Sequence, residues 1–218
     1  MTASFFSEIR AEVDRAQRQS PNGWGDRLDV RYYLALQLSQ LRGKHVLDIG
    51  CGPGLLLSVL HPSNKIEGWD TNPEAIRAAR RNAPRAHLIT KEFKLKHAGR
   101  FDVVVLAHMI EDNDPKQFVK RAAKALRKGG RLYLTTPNGD FAKYRNTGLP
   151  RRTDLERLLS PYFDFRIYGW NPFPPWPWFP PARILARLPG WFELLRWLCE
   201  HNILVNNAKS FYVEAMRR

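Results

Sequence analysis

Cysteine is scarce in this 218-residue chain, which contains only Cys51 and Cys199. Two cysteines cannot build a disulfide framework, and their scarcity favours a reducing compartment. The sequence also lacks any run of 18 apolar residues, so it predicts no membrane span. The first residues lack the apolar core of a signal peptide, and we therefore expect a cytoplasmic protein.

Acidic residues are also in short supply, since 21 Asp and Glu stand against 35 Lys and Arg, giving a formal net charge of +14. Such a surface attracts polyanions, either nucleic acid or the anionic face of a membrane. Solvated helix faces in a basic proteome explain it equally well, so the charge alone selects no partner. The six histidines are scattered without the spacing of metal ligands, and we expect no metal site.

What the sequence does contain is a strand that runs into a glycine-rich turn, HVLDIGCGPG at residues 45–54. Glycine permits a positive φ and lets a ligand approach the main chain. A short apolar helix is predicted over residues 55–60, and it ends before Pro62. A strand, a glycine turn and a helix N-terminus in this order predict the nucleotide site of a doubly wound α/β fold.

Asp70 provides the second signal, because it ends the next predicted strand (residues 65–70) twenty residues after Gly50. A carboxylate at this offset can accept hydrogen bonds from both hydroxyls of a ribose. Glycine turns and strand-terminal aspartates are each common, but their joint order and spacing favour nucleotide binding. The spacing Gly50-x-Gly52-x-Gly54 departs from the G-x-G-x-x-G fingerprint of dehydrogenases, so a nicotinamide cofactor is not predicted.

The VLDIGCGPG stretch resembles motif I of the class I S-adenosylmethionine (SAM) dependent methyltransferases. The resemblance continues through FDVVVLAH (residues 101–108) and LRKGGRLYLTTPN (residues 126–138). These motifs are similar to those of the small-molecule branch that includes quinone-biosynthesis O-methyltransferases. The resemblance covers residues 40–140 well and the rest in outline, and it implies SAM as the cofactor. Its main implication is methyl transfer to a small or lipid-like acceptor, at oxygen.

The resemblance also implies which residues hold the cofactor. Asp48 is expected near the methionine amino group and Asp70 at the ribose hydroxyls, above a loop formed by Gly50, Gly52 and Gly54. The remaining expected contacts are Thr71 and Asn72 at the ribose or adenine, Glu92 or Phe93 at the adenine, and His108 and Met109 after strand four. Apart from the resemblance, four residues of the N-terminal segment are candidates to cover the methionine carboxylate, with plain surface solvation as the alternative: Arg27, Arg31, Tyr32 and Tyr33.

A hydroxyl or amine acceptor needs a base, and the candidates are His108, Glu111 and Asp112. Histidine is the side chain suited to proton transfer near neutral pH, and His108 follows a parallel strand at its carboxyl end, where open sheets bind ligands. We name His108 and Glu111 as catalytic candidates, with the alternative that His108 only packs against SAM. The related quinone enzymes carry Glu-His where this chain has Glu111-Asp112, so a role for the second position does not transfer.

Alternating strands and helices predict one domain with a parallel sheet covered on both faces. The resemblance implies a Rossmann-like, seven-stranded sheet whose antiparallel last strand lies between strands five and six. The domain divides into a helical lead-in (1–42), a core (43–169), an insertion (170–208) and the last strand (209–218). The predicted strands are residues 45–49, 65–70, 86–90, 101–107, 131–135, 163–169 and 210–215. The predicted helix signals are a helix over 28–41, caps at Asn72 and Asp114, a helix-ending Gly129 and a capping box over 153–156.

The insertion begins with WNPFPPWPWFPP (residues 170–181), whose six prolines exclude a helix interior or a central strand. Residues 191–200 then predict a helix too apolar to be exposed on all sides. Packing on the domain, a wall of the acceptor site and contact with a membrane through residues 170–200 all remain open. We expect seven aromatic residues to border an apolar acceptor site: Trp170, Phe173, Trp176, Trp178, Phe179, Trp191 and Trp197.

Two further functions remain open from the sequence. The positive charge suggests an RNA-modifying methyltransferase, although Ala107-His108-Met109-Ile110 replaces the Asn/Asp-Pro-Pro-aromatic motif of base amino-methyltransferases, and no separate RNA-binding module is visible. A SAM-binding subunit that supports a partner enzyme is the other alternative, because motif I argues for binding and not for catalysis.

Overall fold

Seven strands form the central sheet of the computed structural model, which describes residues 30–90, 98–111, 113–141, 144, 147–170, 190–201 and 208–218. The strands are β1 (His45–Ile49), β2 (Lys65–Trp69), β3 (His87–Ile89), β4 (Phe101–Ala107), β5 (Leu126–Pro137), β6 (Phe163–Trp170) and β7 (Ser210–Arg217). Their order across the sheet is β3-β2-β1-β4-β5-β7-β6. Neighbouring strands are parallel, except that β7 runs antiparallel to both β5 and β6. The predicted fold class and the place of the last strand are therefore confirmed.

Helices lie on both faces of the sheet. They are α1 (Val30–Ser39), α2 (Leu55–Ser58), α3 (Pro73–Asn82), α4 (Pro115–Ala125), α5 (Arg152–Leu159) and α6 (Trp191–Glu200). In β4, Val103 and Val105 belong to one buried cluster with α1 and α2, while Val104 and Leu106 belong to a second cluster with α4 and α5. A strand buried on both faces needs a continuous apolar run, which is what FDVVVLA provides. None of the described helices is long and apolar enough to cross a membrane.

Two of the predicted helix starts are confirmed. Asn72 Oδ1 accepts from the Glu74 N–H at 2.9 Å, and Pro73 occupies the first helical position of α3. Asp114 Oδ1 accepts from the N–H groups of Lys116 (3.0 Å) and Gln117 (3.2 Å) at the start of α4. Short polar side chains satisfy the orphan donors of a helix N-terminus in this way.

The predicted end of α4 at Gly129 is wrong. The helix ends at Ala125, and Leu126 already has an extended backbone and pairs with Phe101 on β4. The register then shifts, so that the next pair is Val103 with Arg131, and Gly129 (φ 71°) lies in the bulge between them. The glycine therefore serves a bulge of β5, where the chain needs a left-handed residue, and not a helix terminus.

The capping box predicted for residues 153–156 is displaced. The N-cap of α5 is Arg151, and its N–H donates to Asp154 Oδ2 at 3.0 Å. Glu156 instead accepts from Arg152 Nε at 3.0 Å, one turn along the helix. Asp154 occupies the third helical position, from which a carboxylate can reach back to the N-cap, so the helix starts at Arg152.

Candidate cofactor and active site

The glycine turn lies between the carboxyl end of β1 and α2, and its three glycines are required for different reasons. All have left-handed backbones, with φ of 78° at Gly50, 51° at Gly52 and 77° at Gly54. A Cβ on Gly50 would overlap the Met109 sulfur and lie 2.6 Å from its Cγ, and one on Gly54 would lie 2.9 Å from Ala79 Cβ on α3. A Cβ on Gly52 would meet no atom of the described residues within 4 Å, which leaves room for a ligand over this residue.

Asp70 ties this turn to the end of β2. Its Oδ2 accepts from the Gly52 N–H at 2.8 Å, and its Oδ1 accepts from the Asn72 N–H at 2.8 Å. The Trp69 carbonyl receives the N–H groups of Gly50 (2.7 Å) and Cys51 (3.0 Å) beside it. An ionised carboxylate has about four acceptor positions, so Asp70 retains capacity for two hydroxyl donors. The position of Asp70 was predicted, but its role as an anchor of the glycine turn was not.

Asp48 is a buried carboxylate, 2% exposed, on β1 just before the turn. Its Oδ1 has no hydrogen-bond partner among the described residues. Burial, together with the nearby charge of Asp70, raises the pKa of Asp48 to about 7. Burial, and after it the charges of the same two carboxylates, raise the pKa of the Cys51 thiol and so disfavour the nucleophilic thiolate. A buried carboxylate with an unpaired oxygen fits a cationic ligand group such as an amine.

His108 and Glu111 form a pair directly after β4. His108 Nδ1 lies 2.7 Å from Glu111 Oε1, which is within hydrogen-bond distance. His108 Nε2 and Glu111 Oε2 are both buried and have no partner among the described residues. The His108 N–H donates to the Thr135 carbonyl on β5 at 2.9 Å. The two residues named as catalytic candidates thus lie in direct contact at the carboxyl edge of the sheet.

The backbone of His108 is strained, with φ of 53°. No other non-glycine residue in the described part of the chain has a positive φ. Such conformations concentrate at functional sites, because the surrounding structure must hold a residue that would otherwise relax. This conformation was not predicted from the sequence.

The end of β5 contributes polar residues that sequence reasoning did not single out. Thr135 and Thr136 have buried hydroxyls without a partner among the described residues. Asn138 is fully buried; its Nδ2 donates to the Ala208 carbonyl at 2.7 Å, and its Oδ1 accepts from the Asp140 N–H at 2.8 Å. Asn138 therefore joins the end of β5 to the chain entering β7. The signal was the polar sequence TTPN at the end of an otherwise apolar strand.

Other predicted residues fall elsewhere. Thr71 and Asn72 are exposed beside Asp70, whereas Glu92, Phe93, Asp112 and Arg27 lie outside the described residues. Tyr32 and Tyr33, expected over the methionine carboxylate, are buried in the core. A cavity of about 790 Å³ lies between α4 and α5 and is lined by none of the predicted site residues.

Trp170 is a core residue and does not line an open acceptor site, contrary to expectation. It is the last residue of β6, is 1% exposed and stacks on Tyr33 with 4.5 Å between ring centroids. Tyr33 also meets Tyr212 edge to face, and its hydroxyl donates to Glu200 Oε1 at 3.1 Å. Trp170 therefore packs β6 against α1. Trp197 is 49% exposed on α6, and the other aromatic residues of the insertion lie outside the part of the chain whose side chains are described.

A comparison with protein families matches the methyltransferase domain to residues 17–201, most of the chain. The chain belongs to the methyltransferase domain family. The ubiquinone biosynthesis O-methyltransferase of Escherichia coli O6:H1 is 32% identical to this methyltransferase over 187 residues, 77% of this chain and 74% of the relative. That of Coxiella burnetii (strain Dugway 5J108-111) is 34% identical over 123 residues, 53% of this chain and 52% of the relative. The chain thus spans about half the length of the latter.

Solved structures support the fold of this methyltransferase. The N-methyltransferase NodS from Bradyrhizobium japonicum, in complex with S-adenosylhomocysteine, superimposes with a TM-score of 0.63 at 15% identity, over 98% of this chain and 97% of that one. The plantazolicin methyltransferase BpumL, also with S-adenosylhomocysteine, gives 0.55 at 16% identity over the full length of both chains. The family uses SAM. The open space over Gly52, the unpaired Asp48 oxygen and the free acceptor capacity of Asp70 fit this cofactor.

Proposed function

We propose that the protein is a SAM-dependent methyltransferase that transfers the methyl group to a hydroxyl of a small or lipid-like acceptor. The observation that carries this proposal is the buried Asp48 carboxylate, with its unpaired oxygen, beside a glycine turn that Asp70 holds open. The identity with ubiquinone biosynthesis O-methyltransferases supports oxygen as the methylated atom. The test is incubation with labelled SAM and a panel of phenols bearing apolar tails, followed by mass analysis of the products.

In this proposal each charged side chain has one task toward the cofactor. Asp48 accepts from the methionine amino group, and Asp70 accepts from the ribose hydroxyls while its bonds to the Gly52 and Asn72 N–H groups keep the turn in shape. Thr71 and Asn72 border the same end, at the ribose or adenine. Glu92 or Phe93 remains the proposed adenine contact. When bound, SAM supplies a methyl group on a positively charged sulfur.

His108 is the proposed base. In the tautomer that donates Nδ1–H to Glu111 Oε1, Nε2 has a lone pair that can take the proton of an acceptor hydroxyl. Glu111 fixes the tautomer and the orientation of the ring, and its negative charge stabilises the imidazolium that forms.

We expect His108→Gln to lower kcat by about 10²- to 10⁴-fold while the SAM dissociation constant changes little, because the base is lost and the cofactor contacts remain. Glu111→Gln should lower kcat less, since Nε2 is still present. The measurement is steady-state kinetics on a weakly acidic phenol, with SAM binding by calorimetry.

Acidic phenols provide the control, because they are already ionised and need no base. His108→Gln should methylate them at nearly the wild-type rate. An equal loss of kcat on weakly and strongly acidic phenols would mean that His108 only packs against the cofactor. No product from any acceptor, with SAM binding intact, would instead favour a SAM-binding subunit of a partner enzyme.

A lipid-like acceptor is supported by the outer face of α6. Leu194 and Trp197 lie one turn apart on this helix and are 47% and 49% exposed. Exposed Trp and Leu on one side of a helix, in a chain of net charge +14, suit the boundary of an anionic bilayer. We propose that the protein contacts the membrane peripherally through this face.

We expect the double variant Leu194→Ser/Trp197→Ser to lose most of its binding to vesicles of phosphatidylcholine and phosphatidylglycerol. The reason is that each buried apolar side chain stabilises the bound state by about 1.5–3 kcal/mol. Met216→Ser is the matched control, because Met216 is equally exposed (49%) but lies on β7. Equal co-sedimentation of all three proteins would contradict the membrane contact, and retention on RNA but not on vesicles would favour the RNA-modifying alternative.

A further inference from the structure

A second cavity, of about 370 Å³, lies at the amino edge of the sheet, opposite the glycine turn. Its described lining consists of residues 98–99, of Lys124 and residues 126–128, and of Arg217 at the end of β7. Because β4 is seven residues long, about 20 Å separate this edge from the carboxyl edge where His108 lies. The cavity is therefore distinct from the proposed methyl-transfer site.

The lining of this cavity is strongly cationic. None of its described lining residues is acidic. Four of them carry a positive charge: Lys124, Arg127, Lys128 and Arg217. Of these, Arg127 is neutralised, since its Nε donates to Asp102 Oδ1 at 2.6 Å. The other oxygen of Asp102 accepts from the His45 N–H at 2.8 Å, and these contacts lower the pKa of Asp102. Three positive charges thus remain without an acidic partner among the described residues.

Arg217 is the residue of this lining with an unsatisfied hydrogen-bond donor. Its Nη1 is buried and has no hydrogen-bond partner among the described residues. A buried guanidinium nitrogen without an acceptor is unfavourable, and it signals a ligand that supplies one. Arginine presents its N–H groups in a planar fork that matches two oxygens of a phosphate or carboxylate.

The end of α4 does not supply the missing acceptor. Lysine and arginine near a helix C-terminus often stabilise its free carbonyl groups. Here the carbonyls of Lys124 and Ala125 already accept from the N–H groups of Gly99 (2.9 Å) and Arg100 (3.0 Å). Among the described residues, no hydrogen bond joins the side chains of Lys124, Lys128 or Arg217 to these carbonyls.

We propose that this cavity binds a phosphate group, through Arg217, Lys124 and Lys128. A phosphate monoester carries a charge of about −1.5 to −2 at neutral pH, which three unpaired cations match better than the single charge of a carboxylate. The cavity volume is about 370 Å³, roughly ten times the volume of about 30 Å³ that one molecule occupies in liquid water. It therefore has room for a phosphate and for part of the molecule that carries this phosphate. A space of about 370 Å³ accommodates one phosphate of a small ligand and not the many phosphates of a nucleic-acid backbone.

The test uses the full chain and inorganic phosphate, titrated against chloride at constant ionic strength and followed by calorimetry. We expect saturable binding, and Arg217→Gln should weaken it by about ten- to a hundredfold because a charged hydrogen-bonding partner is lost. Lys128→Gln should weaken it too, and this variant keeps the fold intact since Lys128 is exposed. Arg80→Gln is the matched control: it removes the same charge from an exposed position on α3 and should bind phosphate normally.

Equal phosphate affinity in the wild type, Arg217→Gln and Arg80→Gln would overturn the proposal. A second outcome would also overturn it: Arg217→Gln melts at a lower temperature than the wild type, and phosphate changes the melting temperature of none of the proteins. The cationic residues would then serve only the stability of the fold. Oligonucleotide binding with a steep salt dependence that Arg217→Gln leaves unchanged, without phosphate binding, would place nucleic acid elsewhere and also contradict it. A last outcome would support the site. If phosphate released bound phosphatidylglycerol vesicles from the wild type but not from Arg217→Gln, the phosphate that binds in the cavity would belong to a lipid headgroup.

Discussion

Asp48→Asn is expected to weaken SAM binding by about ten- to a hundredfold and to make the cofactor-free protein more stable above neutral pH. The amide removes the charge that would bind the methionine amino group. It also removes a buried charge that has an unpaired oxygen and lies near the Asp70 carboxylate. A buried charge that binds a ligand but destabilises the ligand-free protein predicts both results: its removal weakens binding and raises stability.

The sign of the pH dependence follows from the Asp48 pKa, which rises from 3.8 to about 7 on folding. The folded protein then binds more protons than the unfolded chain, so this group contributes stability below about pH 4 that is lost as the pH rises through about 7. At about pH 8 the free energy of unfolding of Asp48→Asn should exceed that of the wild type by at most about 4 kcal/mol. At about pH 4 the two should agree.

Thermal unfolding across this range, with calorimetry of SAM binding, is the measurement. The wild type should bind SAM more tightly at about pH 8 than at about pH 6, and binding should release protons from Asp48. Asp48→Asn should show neither effect. Asp164→Asn is the control, because Asp164 is exposed on β6 and pairs with Arg218. An Asp48→Asn protein with unchanged SAM affinity would exclude Asp48 from the cofactor site.

Asp70→Ala is expected to weaken both SAM and S-adenosylhomocysteine without unfolding the domain. Two ribose hydroxyls would lose their acceptor, at about 1.5–3 kcal/mol for each charged hydrogen bond. The Gly52 and Asn72 N–H groups would lose theirs as well, so the turn itself should loosen. The loss of affinity should therefore exceed that of a variant that removes a ligand contact alone.

Amide hydrogen exchange separates these two contributions. Gly52 and Asn72 should exchange faster in Asp70→Ala even without cofactor, while the amides of β5 should not change. Asp164→Ala, at the opposite edge of the sheet, should leave both exchange and affinity unaltered. Unchanged calorimetric affinity in Asp70→Ala would refute the ribose assignment.

Prediction from the sequence succeeded where the decisive interactions are local. The helix caps at Asn72 and Asp114 involve side chains and N–H groups two or three residues apart, so composition and order suffice to find them. It failed at Gly129 and Trp170, whose roles depend on distant residues. A bulge on β5 exists because of its register with β4, and the burial of Trp170 depends on Tyr33 of α1, more than a hundred residues away.

The candidate site divides in the same way. The positions of Gly50, Gly52, Gly54 and Asp70 follow from motif spacing along two adjacent strands. The contact between His108 and Glu111 occurs together with a left-handed backbone at His108, which no propensity predicts for this residue. The amino-edge cavity could not be predicted, because Lys124 and Arg217 come from separate parts of the chain.

The sequence by itself therefore determined the fold class, the strand and glycine turn that we propose hold the cofactor, and the carboxylate that follows them. Each depends on short-range patterns: alternation of strands and helices, glycines that permit a positive φ, and an acidic residue at the end of the next strand. The tertiary structure alone decided the raised pKa of Asp48, the contact of Met109 with the space over Gly50 and the convergence of cations around Arg217. These depend on burial and on through-space distances, which arise only when remote segments pack together.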